Sequence, residues 1–443
     1  MHKKKHLLND AQMQEFIKNG YITLQTDLPD EFHRETYQRI EDVFETEGNP
    51  GNNVLPRIPA IQRVLDEPRI HGALQSILGH NYYLHPHRHC HFNPAGSEGQ
   101  NMHKDSWSKR HHRVRWAMAF YYPQDTPVEL GPTGIIPGSQ YHNSKPSDDL
   151  PGEVPLIGAA GTVVLVHYDL WHRAMPNMSQ DRRYMVKFLF TRLEEPDGPS
   201  WDTAGDAWPQ ENDLRQPLWQ SMWDWHRGNT SPLANGGDIK ALLDPHEATA
   251  LQATYRLDER AIPALIDLLA DETDTVRMNA GYALNAIGKA AVPALIEACS
   301  DTREILRAQA ADALGDLGRQ ATEASSTLIN LLADCSHAVR RNAIDALGVI
   351  ANAPETATAL APSLTDDDEW IRRNAALALL RLGPQAALAT TDLVTALNSD
   401  NRYVSGKAAQ TLKRIKTPEA QDLLMDHLFT ARWCPETSAA SRH

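Results

Sequence analysis

The chain has 443 residues, which is long for one hydrophobic core, so two or three domains are expected. Hydrophobic residues make up 41% and charged residues 23% of the sequence, and no apolar run approaches the roughly 20 residues that a membrane span needs. The net charge is −14 and both halves are acidic, which argues against binding to nucleic acid or to an anionic membrane.

The N-terminus and the cysteines indicate the compartment in which the protein is located. The N-terminus MHKKKHLLNDAQ has basic residues but no apolar core and no small-residue cleavage site, so it does not indicate a signal peptide. The four cysteines show no CxxC spacing, which fits a reducing compartment and argues against a disulfide scaffold or a cysteine-ligated metal. We therefore expect a cytoplasmic protein.

The first 235 or so residues combine helix and strand signals. A helix over AQMQEFIKN is capped by Asn9 or Asp10 and closed by Gly20, a second runs from Pro29 to about Thr46, and a third covers DEPRIHGALQSILG. Strand patterns appear in YITL, YYLHPHRHCHF, RVRWAMAFYY, GTVVLVHYDLW and YMVKFLFTR, with Pro and Gly between them. Several strands after a helical N-terminus predict a jelly-roll barrel backed by helices.

Four histidines alternate along one predicted strand, at His85, His87, His89 and His91. Side chains two residues apart share a face, at a spacing of about 6.5 Å, so one ion could bind only adjacent imidazoles. A second metal site is therefore the weaker interpretation. The stronger ones are a pocket role for His89 and His91, or a purely structural role for the histidines.

Metal-ligand chemistry is concentrated in the segment that follows. His103-Lys104-Asp105 places an imidazole and a carboxylate two residues apart, so both face the same way at a strand end. His172 comes 67 residues after Asp105, far enough to return on another strand. Two histidines and one carboxylate on one face are typical of Fe(II) sites that leave three coordination positions open.

A second His-x-Asp motif is present at His167-Tyr168-Asp169. With 20 histidines in the chain, one chance match of this short pattern is expected. This motif lies directly before His172 on the same predicted strand, so the three groups could not surround a metal from two strands. We interpret His167 as a structural strand residue.

Two longer segments, GPTGIIPGSQYH and DLWHRAMPNMSQDRR, resemble signature stretches of the phytanoyl-CoA dioxygenase family, and GYITL after the first helix is similar to that family's start. The resemblance covers residues 9 to 230. It implies a double-stranded β-helix that uses Fe(II), 2-oxoglutarate and O₂. The usual reaction of such enzymes is hydroxylation of an unactivated C–H bond, with release of succinate and CO₂.

The resemblance also implies roles for individual residues. His103, Asp105 and His172 match the iron ligands and catalytic centre. Because Asp105 is present, where relatives that halogenate have a small residue, hydroxylation or a related oxidation is favoured. Position 174 is alanine, where some relatives have a serine near 2-oxoglutarate, so the substrate is not implied.

Arg183 matches the family's arginine for the distal carboxylate of 2-oxoglutarate. A planar guanidinium can bind a carboxylate through two hydrogen bonds and keeps its charge when buried. Arg182 is the competing residue. His91 aligns with a side chain near the cofactor, and Asn177 with a family asparagine that we interpret as a turn residue.

Substrate contacts are predicted for His89, Trp107, Arg115 and Tyr121, on the basis that their strands enter the barrel. A segment rich in tryptophan follows, and its helix QPLWQSMWDWHRG is expected to pack as a cover helix, with an aromatic lid over an organic substrate as the alternative. The tryptophans are Trp201, Trp208, Trp219, Trp223 and Trp225.

The second half of the chain is a repeat. Each unit has an apolar helix, an Asp-rich turn and an Ala-rich helix, and the matched positions Arg277, Arg307, Arg340, Arg372 and Ser405 recur every 30 to 33 residues. The units resemble HEAT repeats, which predicts an α-solenoid. We expect each repeat arginine to bond a neighbouring turn. The segment HEATALQATYRLDE is only half a repeat, so its apolar side chains need a partner, and the Trp-rich segment is the nearest.

We therefore predict a dioxygenase domain over residues 1–235, HEAT-like repeats over 236–432 and a C-terminal tail over 433–443. The leading function is hydroxylation of a small organic or biosynthetic substrate. The alternatives are an oxygenase whose protein or carrier-bound substrate docks on the repeats, and a HEAT scaffold with a degenerate barrel. A nucleic-acid demethylase is disfavoured by the acidic repeats, and no membrane partner is expected.

Overall fold

The computed structural model describes residues 6–106, 112–145, 151–205, 207–230, 236–350 and 354–430. The chain forms two compact units. The first comprises the chain up to Ala261 together with Glu272–Ile287, and the second comprises Ile262–Asp271 and the chain from Gly288 onward. The predicted tail and Trp107 lie outside the described residues, and the predicted domain boundary at residue 235 stays a prediction.

The helices of the first unit begin and end where the sequence provides caps. Asn9 accepts a hydrogen bond from the backbone N–H of Gln12, whose side chain accepts one from Asn9 in return, and Gly20 ends this helix at a φ of +80°. The six helices that accompany the strands are α1 Asp10–Asn19, α2 Asp30–Thr46, α3 Val54–Arg57, α4 Gln62–Asp66, α5 Pro68–Leu78 and α6 Gln216–His226.

The strands form two antiparallel sheets, one of five strands in the order β1-β6-β3-β8-β2 and one of three in the order β5-β4-β7. This arrangement, with helices on one side, agrees with the predicted jelly-roll fold. The strands are β1 Tyr21–Gln25, β2 Tyr82–Asn93, β3 Trp116–Tyr121, β4 Thr133–Ile135, β5 Val154–Pro155, β6 Thr162–His167, β7 His172–Ala174 and β8 Arg183–Arg192.

The five-stranded sheet is buried on both faces. Alternate residues of β3 and β8, such as Tyr121 and Phe188, pack in the core shared with the helices. The residues between them, such as Phe120 and Met185, pack in a second core that includes Ile135 of the small sheet. Each side chain of these strands therefore faces either the helices or the barrel interior, and successive residues face opposite sides.

The Trp-rich segment is part of the helix-side core. All five tryptophans are buried there, at exposures of 8% or less. Trp225 donates its indole N–H to Glu195 (3.2 Å), and Arg115 holds the same carboxylate through two hydrogen bonds. These contacts agree with the cover-helix interpretation and give no support to an aromatic lid.

The half repeat that needed a partner finds one in the first unit. Leu251 and Tyr255 belong to the same hydrophobic core as Trp219. Leu242 is buried as well, whereas Leu243 is half exposed. Leu251 and Tyr255 are therefore buried in the core that also contains the Trp-rich segment.

The second half of the chain is helical, with short 3₁₀ turns between many of its helices. None of the helices among the described residues is long and apolar enough to cross a membrane. The helices are α7 Glu247–Thr254, α8 Ile262–Leu268, α9 Asp274–Ile287, α10 Val292–Ala298, α11 Glu304–Leu317, α12 Ser325–Asn330, α13 His337–Ile350, α14 Pro354–Leu360, α15 Glu369–Leu382, α16 Thr390–Leu397, α17 Arg402–Ile415 and α18 Pro418–Thr430.

The repeat arginines of the second unit bind turns, as the sequence predicted. Arg307 donates to the backbone carbonyls of Asp301 and Thr302 in its own turn and to the carboxylate of Asp334 in the next (2.8 and 3.0 Å). Arg340 repeats the pattern one unit later, with the carbonyl of Asp334. Arg340 also donates to the carboxylate of Asp366 in the next turn (3.5 Å), so Arg307 and Arg340 link consecutive turns, which accounts for their recurrence without a ligand.

Lys407 is an unusual residue of the second unit, because it is a lysine buried in the stack of second helices. Its ammonium donates to the carbonyl of Arg373 (3.2 Å). Burial, with smaller contributions from the nearby Arg373 and Arg381, lowers the pKa of Lys407 from 10.5 to about 7, against an opposing effect of Asp345. A lysine whose pKa is lowered on folding destabilises the folded state wherever the unfolded chain is protonated.

We predict that Lys407→Met stabilises the protein by about 2–4 kcal/mol at pH 6, because the variant no longer buries an ammonium. The gain should shrink as the pH rises from about 7 towards 10.5, since both states of the wild type then lose the proton. Urea unfolding of both proteins at pH 6 and pH 10 measures this. Lys407→Arg, which keeps the charge, should be destabilised at both pH values. An equal gain for the methionine variant at the two pH values would contradict the assignment.

Candidate metal centre

The predicted ligand motif is attached to the small sheet through its backbone. His103 lies outside the eight strands, yet its N–H donates to the carbonyl of His172 and its carbonyl accepts the N–H of His172, at 2.9 Å each. This antiparallel bridge joins the segment of His103 to β7. It places Asp105, two residues further, on the side of the His172 ring.

The three predicted ligands converge. One ligand atom from each of His103, Asp105 and His172 lies within 4.8 Å of the others. The Nε2 atom of His172 is 3.5 Å from the Oδ2 atom of Asp105, and the two imidazole rings are 4.7 Å apart. Among the described residues, no other group of three potential ligands is this close.

Both imidazoles are oriented by the backbone. The Nδ1 atom of His103 is 2.8 Å from the carbonyl oxygen of Asn101, and that of His172 is 2.9 Å from the carbonyl oxygen of Leu170. A carbonyl can only accept, so Nδ1 carries the proton in each ring and Nε2 keeps a free electron pair. Hydrogen bonds of this kind fix ligand histidines in metal sites.

Asp105 is held as a carboxylate. Burial opposes its ionisation, but the ammonium of Lys187 acts in the other direction and holds the pKa of Asp105 well below its usual range. The ammonium of Lys187 lies 2.7 Å from Oδ2, and Lys187 is only 5% exposed. The carboxylate is therefore charged and available to a cation near neutral pH.

Arg183 points into the barrel. It is 1% exposed, its Nε donates to the carbonyl of Gly131 (3.0 Å), and its Nη1 is buried with no hydrogen-bond partner among the described residues. Arg182 instead lies at the surface, where it pairs with Glu41 and Glu45. Of the two arginines, only Arg183 has a charged group that an internal carboxylate could reach.

The turn around Gly131 positions Arg183. Gly131 has a φ of +66°, and a side chain at this position would meet the Nδ2 atom of Asn93 at 2.5 Å. Asn93 in turn donates to the carbonyls of Gly131 and Met175 (3.0 Å each). Asn177 donates to the carbonyls of Asn93 and Asp181, which agrees with its predicted role in a turn.

Two of the four predicted histidines face this part of the barrel. On β2, His89 is paired with Lys187 and His91 with Met185 of β8. The Nε2 atom of His91 is buried without a partner among the described residues. Burial lowers the pKa of His91, and Lys187 adds to the effect, so the ring is neutral. It can therefore offer one hydrogen bond to a bound group.

The other two histidines of the strand do not share this environment. A register shift between Leu84 and Arg88, around Pro86, interrupts the alternation of β2. His85 packs edge-on against Trp116 at 5.5 Å, and its Nδ1 accepts the N–H of His87. Four histidines in one register are therefore not found, and a second metal site has no support among the described residues.

Tyr121 and Arg115, which were predicted to contact the substrate, do not face the barrel interior. Tyr121 faces the helices, where its hydroxyl is 2.8 Å from His33 Nδ1, and Arg115 is paired with Glu195. Phe120 faces the interior instead, with its ring 5.8 Å from that of His172. Because apolar residues cover both faces of this strand, its pattern does not reveal which face is inside.

Lys187 is the site residue that the sequence interpretation missed. The available signal was a lysine in the middle of the apolar strand YMVKFLF, since lysines are almost never fully buried without a partner.

The second His-x-Asp motif has a structural role. His167 is buried on the helix-facing side of β6, and its Nδ1 accepts the backbone N–H of Asp169 (3.1 Å). Asp169 also accepts the hydroxyl of Ser106 (2.5 Å). Burial lowers the pKa of His167 to about 4. These contacts agree with its interpretation as a strand residue.

Two helices that the sequence pattern assigns to the repeats contact chain segments that lie near the triad residues in sequence. The His112 ring stacks against Tyr282 of α9 and against Tyr255, the residue that follows α7, and its Nδ1 is 2.6 Å from the Tyr255 hydroxyl. Glu247 at the start of α7 accepts the backbone N–H groups of Asn143 and Ser144 (2.5 and 2.9 Å). These helices therefore fix both chain segments.

The donor set fits the cofactor class predicted for it. Two imidazoles with free Nε2 atoms and one ionised carboxylate suit Fe(II), and the unpaired Nη1 of buried Arg183 suits the distal carboxylate of 2-oxoglutarate. A buried donor without a partner destabilises a protein, which is understandable where a ligand completes the bond.

Comparisons with known families agree with this geometry. Residues 12–185 match the family model described as phytanoyl-CoA dioxygenase. Residues 243–315, 292–381 and 364–439 match that of HEAT repeats. The predicted resemblance is confirmed for both parts of the chain, and the family match together with the triad indicates an oxygenase of the non-haem iron type.

Solved structures with a similar fold include the non-heme alpha ketoglutarate dependent epimerase SnoN from nogalamycin biosynthesis (16% identity, TM-score 0.37) and the corresponding carbocyclase SnoK (18%, 0.36). Each alignment covers 42% of this chain, with 83% of SnoN and 85% of SnoK. HygX from Streptomyces hygroscopicus is 12% identical, with a TM-score of 0.34, over 42% of this chain and 87% of its own. No curated protein has a significantly similar sequence.

We predict that His112→Ala destabilises the first unit by about 2–4 kcal/mol, because it removes a buried ring and its hydrogen bonds to Tyr255 and the Tyr141 carbonyl. Urea unfolding monitored by tryptophan fluorescence measures the change. His80→Ala, which replaces an exposed histidine of the same unit, should leave the free energy of unfolding within about 0.5 kcal/mol of the wild type. Equal effects of the two variants would contradict the bracing role.

Proposed function

We propose that the chain is an Fe(II)- and 2-oxoglutarate-dependent dioxygenase that hydroxylates a C–H bond of a small organic or biosynthetic substrate. The proposal rests on the convergence of His103, Asp105 and His172. One face of strand β8 connects this site with Arg183. Lys187, on the same face of β8 as Arg183, contacts the Asp105 carboxylate.

The residues of the chain have distinct roles in this proposal. Bound Fe(II) would supply O₂ activation coupled to oxidation of 2-oxoglutarate to succinate and CO₂. The Nε2 atoms of His103 and His172 and the carboxylate of Asp105 hold the metal, and their backbone hydrogen bonds set its position. Arg183 holds the distal carboxylate of 2-oxoglutarate, and His91 offers a further hydrogen bond nearby.

The interior of the barrel limits access of water to this chemistry. Phe120 lies against His172, and Met118, Met185 and Leu189 are buried on the same side of the sheet. An apolar wall strengthens the charged contacts in the site and protects reactive species from side reactions. The carboxylate of Asp105 would be the third protein ligand of the metal, which favours hydroxylation over halogenation.

A second candidate is an oxygenase whose protein or carrier-bound substrate docks on the HEAT repeats. Its support is the repeat match over residues 243–439, since arrays of this kind present extended binding surfaces. A scaffold with a degenerate barrel is disfavoured, because the triad and Arg183 retain the side chains and the orientations that a metal and a dicarboxylate require.

We predict that the protein binds Fe(II) and 2-oxoglutarate together under anaerobic conditions and gives the weak visible charge-transfer band of that chelate. His103→Ala or Asp105→Ala should abolish the band, because each removes one of three protein ligands. His167→Ala and Asp169→Ala are the matched controls and should retain it. Loss of the band in the control variants, with retention in the first pair, would assign the metal to the second motif.

We predict that Arg183→Ala weakens 2-oxoglutarate binding by about 1.5–3 kcal/mol, the size of a lost charge-assisted pair. Titration of the charge-transfer band with 2-oxoglutarate gives the Kd. Arg182→Ala removes a neighbouring arginine that lies at the surface with Glu41 and Glu45, so it should change the Kd little. The reverse ranking would mean that Arg182, not Arg183, binds the cosubstrate.

A further inference from the structure

Lys187 is a buried cation inside the barrel that neither metal binding nor 2-oxoglutarate binding requires. It lies in the middle of β8, is only 5% exposed, and its ammonium contacts the Asp105 carboxylate at 2.7 Å. On the paired strand β2, His89 is its direct neighbour. Lys187 therefore lies at the iron end of the site.

The charges that surround Lys187 do not balance. The cations on this face of β8 are Lys187 and Arg183, and the ion pair of Lys187 with Asp105 is the one that either makes among the described residues. Two cations and one anion leave an excess of one positive charge. Fe(II) and the dianion 2-oxoglutarate cancel each other, so the excess remains when both are bound.

The contact with Asp105 does not remove this excess when the metal is held. A carboxylate that coordinates a divalent ion has most of its charge engaged by that ion, and Lys187 then needs another anion. An ammonium buried without a counter-charge is strongly destabilising. The site therefore calls for one further negative group close to the metal.

We propose that Lys187 anchors the primary substrate through an anionic group, a carboxylate or a phosphate, with His89 beside it as a second polar contact. The substrate class is thus a small organic acid or phosphate ester, and the anion is held next to the C–H bond that is oxidised. This inference rests on the proposed function.

The anion could also come from 2-oxoglutarate, whose carboxylates have the same chemistry. Arg183 and Lys187 are four residues apart on one face, which is about 13 Å along the strand. Arg183, with its unpaired Nη1, accounts for the distal carboxylate. The other end of 2-oxoglutarate belongs to the metal, so Lys187 is left for the substrate.

The experiment uses the full-length protein loaded with Mn(II) and 2-oxoglutarate, and measures by calorimetry the binding of butyrate, ethyl phosphate and the neutral analogue butyramide. The wild type should bind at least one of the two anions about tenfold more tightly than the amide, as expected for one charge-assisted contact. Lys187→Met should lose this preference and keep its 2-oxoglutarate Kd within about threefold of the wild type. Lys407→Met, the same change at a buried lysine of the second unit, should retain the preference.

Each other outcome overturns the proposal. A wild type that binds neither anion, or binds the amide equally well, has no anion site. A Lys187→Met variant whose 2-oxoglutarate Kd rises as much as that of Arg183→Ala assigns the lysine to the cosubstrate. Lys187→Gln replaces the methionine variant if that protein does not fold. Failure to bind Mn(II) and 2-oxoglutarate at all would instead contradict the proposed function, so the two failures are distinguishable.

Discussion

The mutual backbone hydrogen bonds between His103 and His172 are the constraint on which the site depends. They attach a segment outside any strand to β7, so the positions of two ligand side chains follow from main-chain geometry. The carboxylate of Asp105, two residues further, then falls 3.5 Å from the His172 ring. Carbonyls of Asn101 and Leu170 fix the two ring orientations. The donor set is thus formed before a ligand arrives, which lowers the ordering cost of binding.

The interior of the barrel holds charges that an apolar core would exclude. Arg183 and Lys187 are almost fully buried on one face of β8, and Arg183 has an N–H group without a partner among the described residues. Replacing buried ion pairs by apolar residues is often neutral or stabilising, so their presence is not explained by folding. In the proposed function and the inference that follows from it, both cations bind anionic groups of the ligands. Binding, rather than stability, accounts for this arrangement.

Local signals in the sequence were sufficient for much of the fold and for the ligand set. The cap at Asn9, the glycine at residue 20 and the repeat period each reflect interactions between residues close in the chain. The inward face of β3 could not be predicted, because helices cover one side and the barrel core covers the other. Tyr121 and Phe120 both have apolar surroundings, so only the pairing of β3 with β8 determines which of them contacts His172. The irregularity around Pro86 is likewise set by pairing between distant strands.

The sequence pattern and the packing assign helix α7 to different parts of the protein. By its sequence pattern it belongs to the repeats, yet its Leu251 and Tyr255 are buried in the core of the first unit. Tyr255 also stacks on His112, seven residues after Asp105, and Glu247 of the same helix binds the backbone of Asn143. A lone half repeat has no partner of its own kind on one side, so an apolar face of the oxygenase completes its burial. His112 and Asn143 are therefore held by a helix that sequence periodicity alone would separate from them.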